Sequence, residues 1–241
     1  MEHHVLVIEG PGPNAISHET VLALHRGLDE AGDRPVVLTG AGAAFSAGLN
    51  LKALVKMTAS DFAVFLEDLE RLAARLFLHP APTVALINGH CVAGGYLLAA
   101  CCDWRVAPAA GEVRFGLPAV RLGLQYPPVF LRIVRYGLSV PAQEEILLGA
   151  EQHLAPRALE LGMVDELAAD PRAAAMAWLE RRAALPREAW NATKQTLRAP
   201  VVAVTDEERR RFAEQVVPSW SDPERIQRML AAIGKPSGDQ R

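Results

Sequence analysis

The sequence lacks several features that would have indicated a specific class of protein. Its 25 basic and 28 acidic residues leave a formal net charge of −3, so it has no broad cationic surface for nucleic acid. Its three cysteines, Cys91, Cys101 and Cys102, form neither a CxxC pair nor an even disulfide framework. There is no HExxH motif, P-loop or clustered set of metal ligands. The N-terminal residues lack the basic and apolar regions of a secretory signal. We therefore expect a cytoplasmic protein without a metal site or a nucleic-acid partner.

Long apolar runs are also scarce, and the only stretch of membrane-span length is interrupted. From Thr83 to Cys102 the chain carries no charged residue for 20 positions, about the length of a transmembrane helix. Asn88 and Gly89 break this run early, and Gly94-Gly95 break it again. The stretch therefore predicts a buried strand, a polar turn and a buried helix that starts near Gly94, with no membrane partner.

The residues that are present predict an α/β protein. The chain has 241 residues, half of them hydrophobic, which is enough to bury a core without disulfides. Short β-branched runs at 5–8, 36–39 and 84–87 alternate with amphipathic segments of helical period. One such helix follows the N-cap residue Ser17, and another places apolar residues from Phe62 to Leu76 on one face. Opposite that face we expect five charged side chains, namely Glu67, Asp68, Glu70, Arg71 and Arg75.

Beyond about Val140 the pattern is almost wholly helical, and proline or glycine separates its segments. We expect the first of these helices to pack with the core, and we divide the chain into a core at 1–185 and a helical C-terminal region at 186–241.

The glycine-rich loop that follows the second strand partly matches two known motifs, one for dinucleotide binding and one for a catalytic serine. Gly40 to Phe45 resembles a dinucleotide fingerprint, but Phe45 occupies the third glycine position and no acidic residue follows at the required distance. Ser46 could act as a nucleophile with Asp103 and His153, in the chain order of a serine hydrolase. Ser46 lies too far beyond the strand for a nucleophile elbow, so this remains a minor alternative.

Two loops are more informative when they are taken together. The first, 44–51, leaves a strand through small residues that let a ligand approach the backbone. The second, 87–95, leads into a helix whose first N–H groups have no partner within the helix. Because both loops leave successive strands of one sheet, their amides could converge on a single oxygen atom.

This pair of loops resembles the crotonase superfamily, also called the enoyl-CoA hydratase/isomerase family. The resemblance rests on three stretches in family order, at 37–48, 82–103 and 159–165, and its second loop is most similar to the Δ3,Δ2-enoyl-CoA isomerase branch. It implies a spiral of ββα turns in the core at 1–185, and a helical C-terminal region at 186–241 through which the chain assembles as a homotrimer or a dimer of trimers. It also implies that the chain is an enzyme acting on an acyl-CoA thioester.

The resemblance further implies which residues bind the thioester. The backbone N–H groups of Leu49 and Gly94 would form an oxyanion hole that stabilises a thioester enolate. Coenzyme A would be bound as part of the substrate by Ala47, Leu49, Leu51 and Lys52, with Lys56 a further candidate for its phosphates. No other cofactor is expected.

The family's catalytic acids are missing from this chain. The positions where hydratases carry two glutamates are Leu97 and Ala119, and a third acid position is Pro127. A non-standard proton donor, with Glu144 and Glu145 as candidates, would still allow isomerisation or hydration. Two alternatives remain open: decarboxylation, in which Tyr126 orients a departing carboxylate, and acyl-CoA binding without catalysis.

Overall fold

The computed structural model describes residues 2–217 and 222–232 and has the mixed α/β architecture that the sequence predicts. Its strands are β1 (His4–Ile8), β2 (Val36–Gly40), β3 (Thr83–Leu86), β4 (Cys91–Val92), β5 (Trp104–Pro108), β6 (Arg114–Gly116), β7 (Gln152–Leu154) and β8 (Glu166–Ala168). Its helices are α1 (Pro11–Asn14), α2 (His18–Ala31), α3 (Leu51–Leu54), α4 (Ala59–Phe77), α5 (Gly94–Ala100), α6 (Pro128–Gly137), α7 (Val140–Gln143), α8 (Ala155–Glu160), α9 (Pro171–Ala183), α10 (Arg187–Val202), α11 (Asp206–Val216) and α12 (Pro223–Ala232). A 3₁₀ turn spans Val120–Leu122, and a π-helical segment spans Glu144–Leu148.

The larger sheet is parallel, with the strand order β1-β2-β3-β5-β8. Its central strands β2, β3 and β5 are mostly buried on both faces, as is usual for parallel sheets. Helix α9 packs on one face, where Trp178 is stacked on Trp104 with ring centroids 5.7 Å apart. The opposite face contacts the main core, to which residues of the loops at 44–51 and 87–95 also belong.

The smaller sheet shows how the chain forms a spiral. Strand β4 pairs in parallel with β6, and an isolated parallel bridge joins Ser46 to Cys91. Successive turns of the chain therefore place one strand in the large sheet and a second, shorter extended segment beside it. The predicted ββα spiral is confirmed, and it aligns the segments that follow β2 and β3 side by side.

Local sequence signals explain where the first long helices begin. Ser17 caps α2 through a reciprocal capping box with Thr20, and Thr58 caps α4 by accepting the Asp61 N–H. The predicted apolar face of α4 is buried, but Glu70 does not lie on the solvent side. The expectation for this residue was wrong, because Glu70 falls within the buried stripe and is only 7% exposed.

The C-terminal part is helical in α10, α11 and α12, although the sequence missed the three-residue strands β7 and β8 that precede it. Helix α10 is anchored to the core by Asp103, which pairs with Lys194 at 2.9 Å and Arg198 at 2.8 Å. Helix α12 contacts α3 and the 3₁₀ turn. The boundary at residue 185 and the oligomerising role of 186–241 stay predictions, and 218–221 and 233–241 lie outside the described residues.

Candidate functional site

The loop after β2 is held in place by two asparagine side chains. The Asn14 amide donates to the carbonyl oxygens of Ala41 and Ala44 at 2.8 and 2.7 Å. The Asn88 amide donates to Gly40 and Gly42 at 2.9 and 2.7 Å. These bonds satisfy the loop carbonyls without regular secondary structure, so the loop has a fixed shape next to the sheet.

The first loop is hydrogen-bonded to Ile16 along one edge, and the Leu49 N–H points away from that edge. Ile16 donates to the Gly48 carbonyl, and Asn50 donates to the Ile16 carbonyl, each at 2.8 Å. In such a parallel bridge the residue between the two bonds directs its own N–H away from the partner strand. Within 2–217 and 222–232, the Leu49 N–H has no hydrogen-bond acceptor.

The second loop presents a matching amide at the start of α5. The Ala93 N–H donates to the Gly116 carbonyl at 2.7 Å, and Ala93 adopts a positive φ of 49° that turns the chain into the helix. Gly94 is the first helical residue, so its N–H has no acceptor within the helix. No other acceptor for it is found in the part of the chain that the structure describes.

The two loops touch at Gly48 and Gly94. A Cβ atom on Gly48 would lie 3.0 Å from the Gly94 nitrogen and 2.5 Å from the Ala93 side chain. The φ of Gly48 is +92°, which also favours glycine. Since Leu49 directly follows Gly48, the two unsatisfied amides lie close together. Two backbone donors of this kind are what an oxyanion requires, and a negative charge beside them would also be favoured by the N-terminus of α5.

The serine-hydrolase alternative is wrong. The buried Ser46 hydroxyl donates to the Asn14 carbonyl at 2.7 Å and accepts the Gly48 N–H. Asp103 is occupied by Lys194 and Arg198 instead of a histidine. A triad needs consecutive hydrogen bonds from serine to histidine to carboxylate, and those bonds are not formed.

The proposed acid positions and their substitutes offer no free carboxyl group at the site. Leu97 and Pro127 are buried, and Ala119 lies just before the 3₁₀ turn. Glu145 is bound to Arg157 at the surface, and Glu144 is exposed. Neither glutamate from the π-helical segment therefore provides a buried acid.

Tyr126 is hydrogen-bonded to the loop that carries Ala119. Its hydroxyl donates to the Leu117 carbonyl at 2.5 Å, and the Ala119 backbone interacts with the same hydroxyl. Burial raises the pKa of Tyr126 to about 12, and the Ala119 hydrogen bond opposes this increase. The phenol thus stays protonated at neutral pH, and its proton is directed to the protein backbone.

The residues expected to contact coenzyme A lie on the exposed side of the first loop. Ala47 is exposed, whereas Leu49 and Leu51 are partly buried. Lys52 and Lys56 are exposed and lie one helical turn apart, at α3 and just beyond it. This spacing places two cations on one side of the short helical segment that follows the first loop. Among the described residues, no group of three or more His, Cys, Asp or Glu side chains could hold a metal ion.

Sequence reasoning missed the buried position of one polar residue, Glu70, at the start of α6. Its carboxylate accepts the Val129 N–H at 2.8 Å, at the N-terminus of α6. The signal was present in the spacing, because Glu70 lies four residues after Leu66 and three before Ala73, which are both buried.

A family model described as enoyl-CoA hydratase/isomerase matches residues 3–232. The chain belongs to this family. A protein of Thermus thermophilus named "Putative enoyl-CoA hydratase" is 36% identical over 195 residues, which is 77% of this chain and 74% of the relative. Human mitochondrial enoyl-CoA delta isomerase 1 is 27% identical over 201 residues, covering 80% of this chain and 67% of the relative.

Among solved structures, human mitochondrial Δ3,Δ2-enoyl-CoA isomerase has a TM-score of 0.85 and 24% identity, covering 95% of this chain and 92% of that structure. This likeness confirms the crotonase fold. None of the described helices has the length and apolar character needed to cross a membrane.

Proposed function

We propose that this enoyl-CoA hydratase/isomerase family member binds an acyl-CoA thioester and stabilises its enolate between the Leu49 and Gly94 amides. The observation that carries the proposal is the pair of unsatisfied N–H groups at the contact of the two loops. Removing one donor of an oxyanion hole typically costs about 10²- to 10³-fold in rate. Enolate formation is therefore the step that this backbone arrangement would accelerate.

Double-bond isomerisation is the reaction that we favour. It moves one proton between two carbon atoms, so a single acid–base group suffices, whereas the family's hydratases use two glutamates. Leu97, Ala119 and Pro127 occupy the family's three acid positions in this chain. A reaction that needs one acid–base group therefore fits this site better than a reaction that needs two. Ala47, Leu51, Lys52 and Lys56 would contact the coenzyme A portion of the substrate.

Acyl-CoA binding without catalysis is the second candidate, and the same three apolar positions support it. They would then line a pocket for the acyl chain. Decarboxylation has less support, because the Tyr126 hydroxyl donates to the Leu117 carbonyl instead of being free to orient a carboxylate.

The test is a panel of 2-enoyl, 3-enoyl, malonyl-type and saturated acyl-CoA thioesters, incubated with the protein in heavy water and analysed by mass spectrometry and absorbance. We expect 3-enoyl thioesters to become conjugated without net addition of water. Water addition would indicate hydration, and loss of carbon dioxide would indicate decarboxylation. Binding without any conversion would contradict the enzymatic proposal and support the second candidate.

A further inference from the structure

Glu70 has an unusual environment for a carboxyl group of this chain. It projects from α4, and among the described residues it is the one Asp or Glu that is buried as a whole residue, with 7% of its surface exposed. Asp103 has a similarly shielded side chain, but two cations, Lys194 and Arg198, neutralise it. In the described part of the chain, the one cation paired with Glu70 is Arg209 of α11, at 3.7 Å. Such burial of a weakly compensated carboxylate costs free energy and calls for an explanation.

Glu70 contacts the segment that begins α6, directly after Tyr126 and Pro127. Its carboxylate contacts the backbone of Val129, two residues beyond Pro127 and three beyond Tyr126. Helix α6, which starts at this point, packs against both α4 and α5. Helix α5 in turn begins with the Gly94 amide. Glu70 therefore lies at the contact of α4 with α6, beside the segment that carries Tyr126 and Pro127, two positions that the family resemblance assigns to the pocket.

We propose that Glu70 carries the proton in this site, a role that rests on the proposed isomerase function. The Glu70 carboxylate takes a proton from C2 of a 3-enoyl thioester, and the electron pair moves to the thioester oxygen at Leu49 and Gly94. When the enolate collapses, the double bond forms between C2 and C3. The C3–C4 π electrons take the proton from Glu70 at C4. The carboxylate is regenerated, and nothing is oxidised or reduced.

The electrostatics of Glu70 suit this role. Burial raises the pKa of its carboxyl above the usual range, whereas the Val129 N–H bond and Arg209 oppose the increase. A carboxylate with a raised pKa is a stronger base and transfers protons more effectively near neutral pH. On α6, Arg132 is engaged by Glu208 and the Ala203 carbonyl, so it does not neutralise Glu70.

Glu70→Gln separates proton transfer from a structural role. The glutamine carbonyl can still accept the Val129 N–H, so the start of α6 keeps its hydrogen bond. We expect kcat/KM for a 3-enoyl-CoA to fall by about 10²- to 10⁴-fold. The Kd of a saturated acyl-CoA should stay within about threefold, a free-energy change below the ~1.4 kcal/mol that equals one decade. Glu67→Gln, on the exposed side of α4, is the matched control and should keep full activity.

A pH profile provides a readout that a structural residue would not change. Arg209→Gln removes the cation that lowers the pKa of Glu70, so the acidic limb of kcat/KM should move to higher pH. Retention of activity within about threefold in Glu70→Gln, well short of a typical general-base loss, would overturn the inference about Glu70. An unmoved acidic limb in Arg209→Gln would also count against it. Absence of turnover in the wild-type protein would instead overturn the proposed function together with the role of Glu70.

Discussion

At the scale of single residues, the proposed oxyanion hole depends on two peptide N–H groups, which a side-chain truncation cannot remove. Gly94→Pro removes one of them, and proline is tolerated at the first position of a helix. We expect kcat/KM to fall by about 10²- to 10³-fold. Gly94→Ala keeps the N–H and adds a methyl group 3.0 Å from the flexible Leu49 side chain, so it is the matched control. Equal activity of the two variants would show that the Gly94 amide does not donate to the substrate.

The raised pKa of Glu70 predicts how the free energy of unfolding depends on pH. Its folded-state pKa lies above the usual 4.5, so the folded protein binds this proton more tightly than the unfolded chain does. This contribution to the free energy of unfolding is present below the unfolded pKa and is lost as the pH rises through the folded pKa. Glu70→Gln should therefore be more stable than wild type at neutral pH in urea unfolding.

This stability difference should shrink as the pH falls towards about 4.5, because wild-type Glu70 then also becomes neutral. The exposed Glu67→Gln should change the free energy of unfolding by no more than about 0.5 kcal/mol. A Glu70→Gln protein that is less stable than wild type at neutral pH would contradict the assigned pKa direction.

At the scale of elements, periodicity predicted some features well and missed others. The buried α4 face from Phe62 to Leu76 followed from helical spacing alone. Glu70 was assigned to the solvent side because of its charge, although its spacing from Leu66 and Ala73 places it on the buried face. Strands β7 and β8 have three residues each, too short for an alternating pattern. The two loops were recognisable in the sequence, whereas the contact between Gly48 and Gly94 depends on sheet order and needed the structure.

The attachment of α10 to the core depends on a buried ion pair. Asp103 and Lys194 have side chains that are 7% and 5% exposed. Asp103→Ala would leave Lys194 buried beside Arg198 without a counter-charge, so we expect a loss of about 3–5 kcal/mol in the free energy of unfolding. Glu160→Gln breaks an exposed pair with Arg157 and should cost at most about 1 kcal/mol. Similar losses in these two variants, measured by urea unfolding, would argue against the anchoring role.

The cations at α3 give a prediction for coenzyme A binding. Lys52→Ala should raise the Kd of acyl-CoA by about 2- to 5-fold, corresponding to an exposed ion pair of at most ~1 kcal/mol. The effect should weaken at high salt and disappear for a thioester without the nucleotide part. Arg26→Ala, an exposed cation on α2, is the control. An equal loss of affinity for the truncated thioester would exclude a phosphate contact at Lys52.

At the scale of the whole molecule, assembly remains a prediction from the family resemblance. Val140 and Leu148 are 71% and 64% exposed in the single chain, on neighbouring helical segments. We expect light scattering to give three or six times the chain mass of 26.0 kDa. Val140→Asp with Leu148→Asp should lower that mass if these side chains lie at the interface, and a monomeric wild-type protein would contradict the expected trimer.

Isotope-edited infrared spectroscopy tests directly whether the Leu49 and Gly94 amides donate to the thioester oxygen. A saturated acyl-CoA labelled with ¹³C at the thioester carbonyl would be measured free, bound to wild-type protein, and bound to Gly94→Pro. Hydrogen bonds from two amides polarise the carbonyl, so its stretching frequency should fall on binding and recover part of the way in the variant. An unshifted carbonyl in the wild-type complex would contradict the oxyanion hole, whatever reaction the protein catalyses.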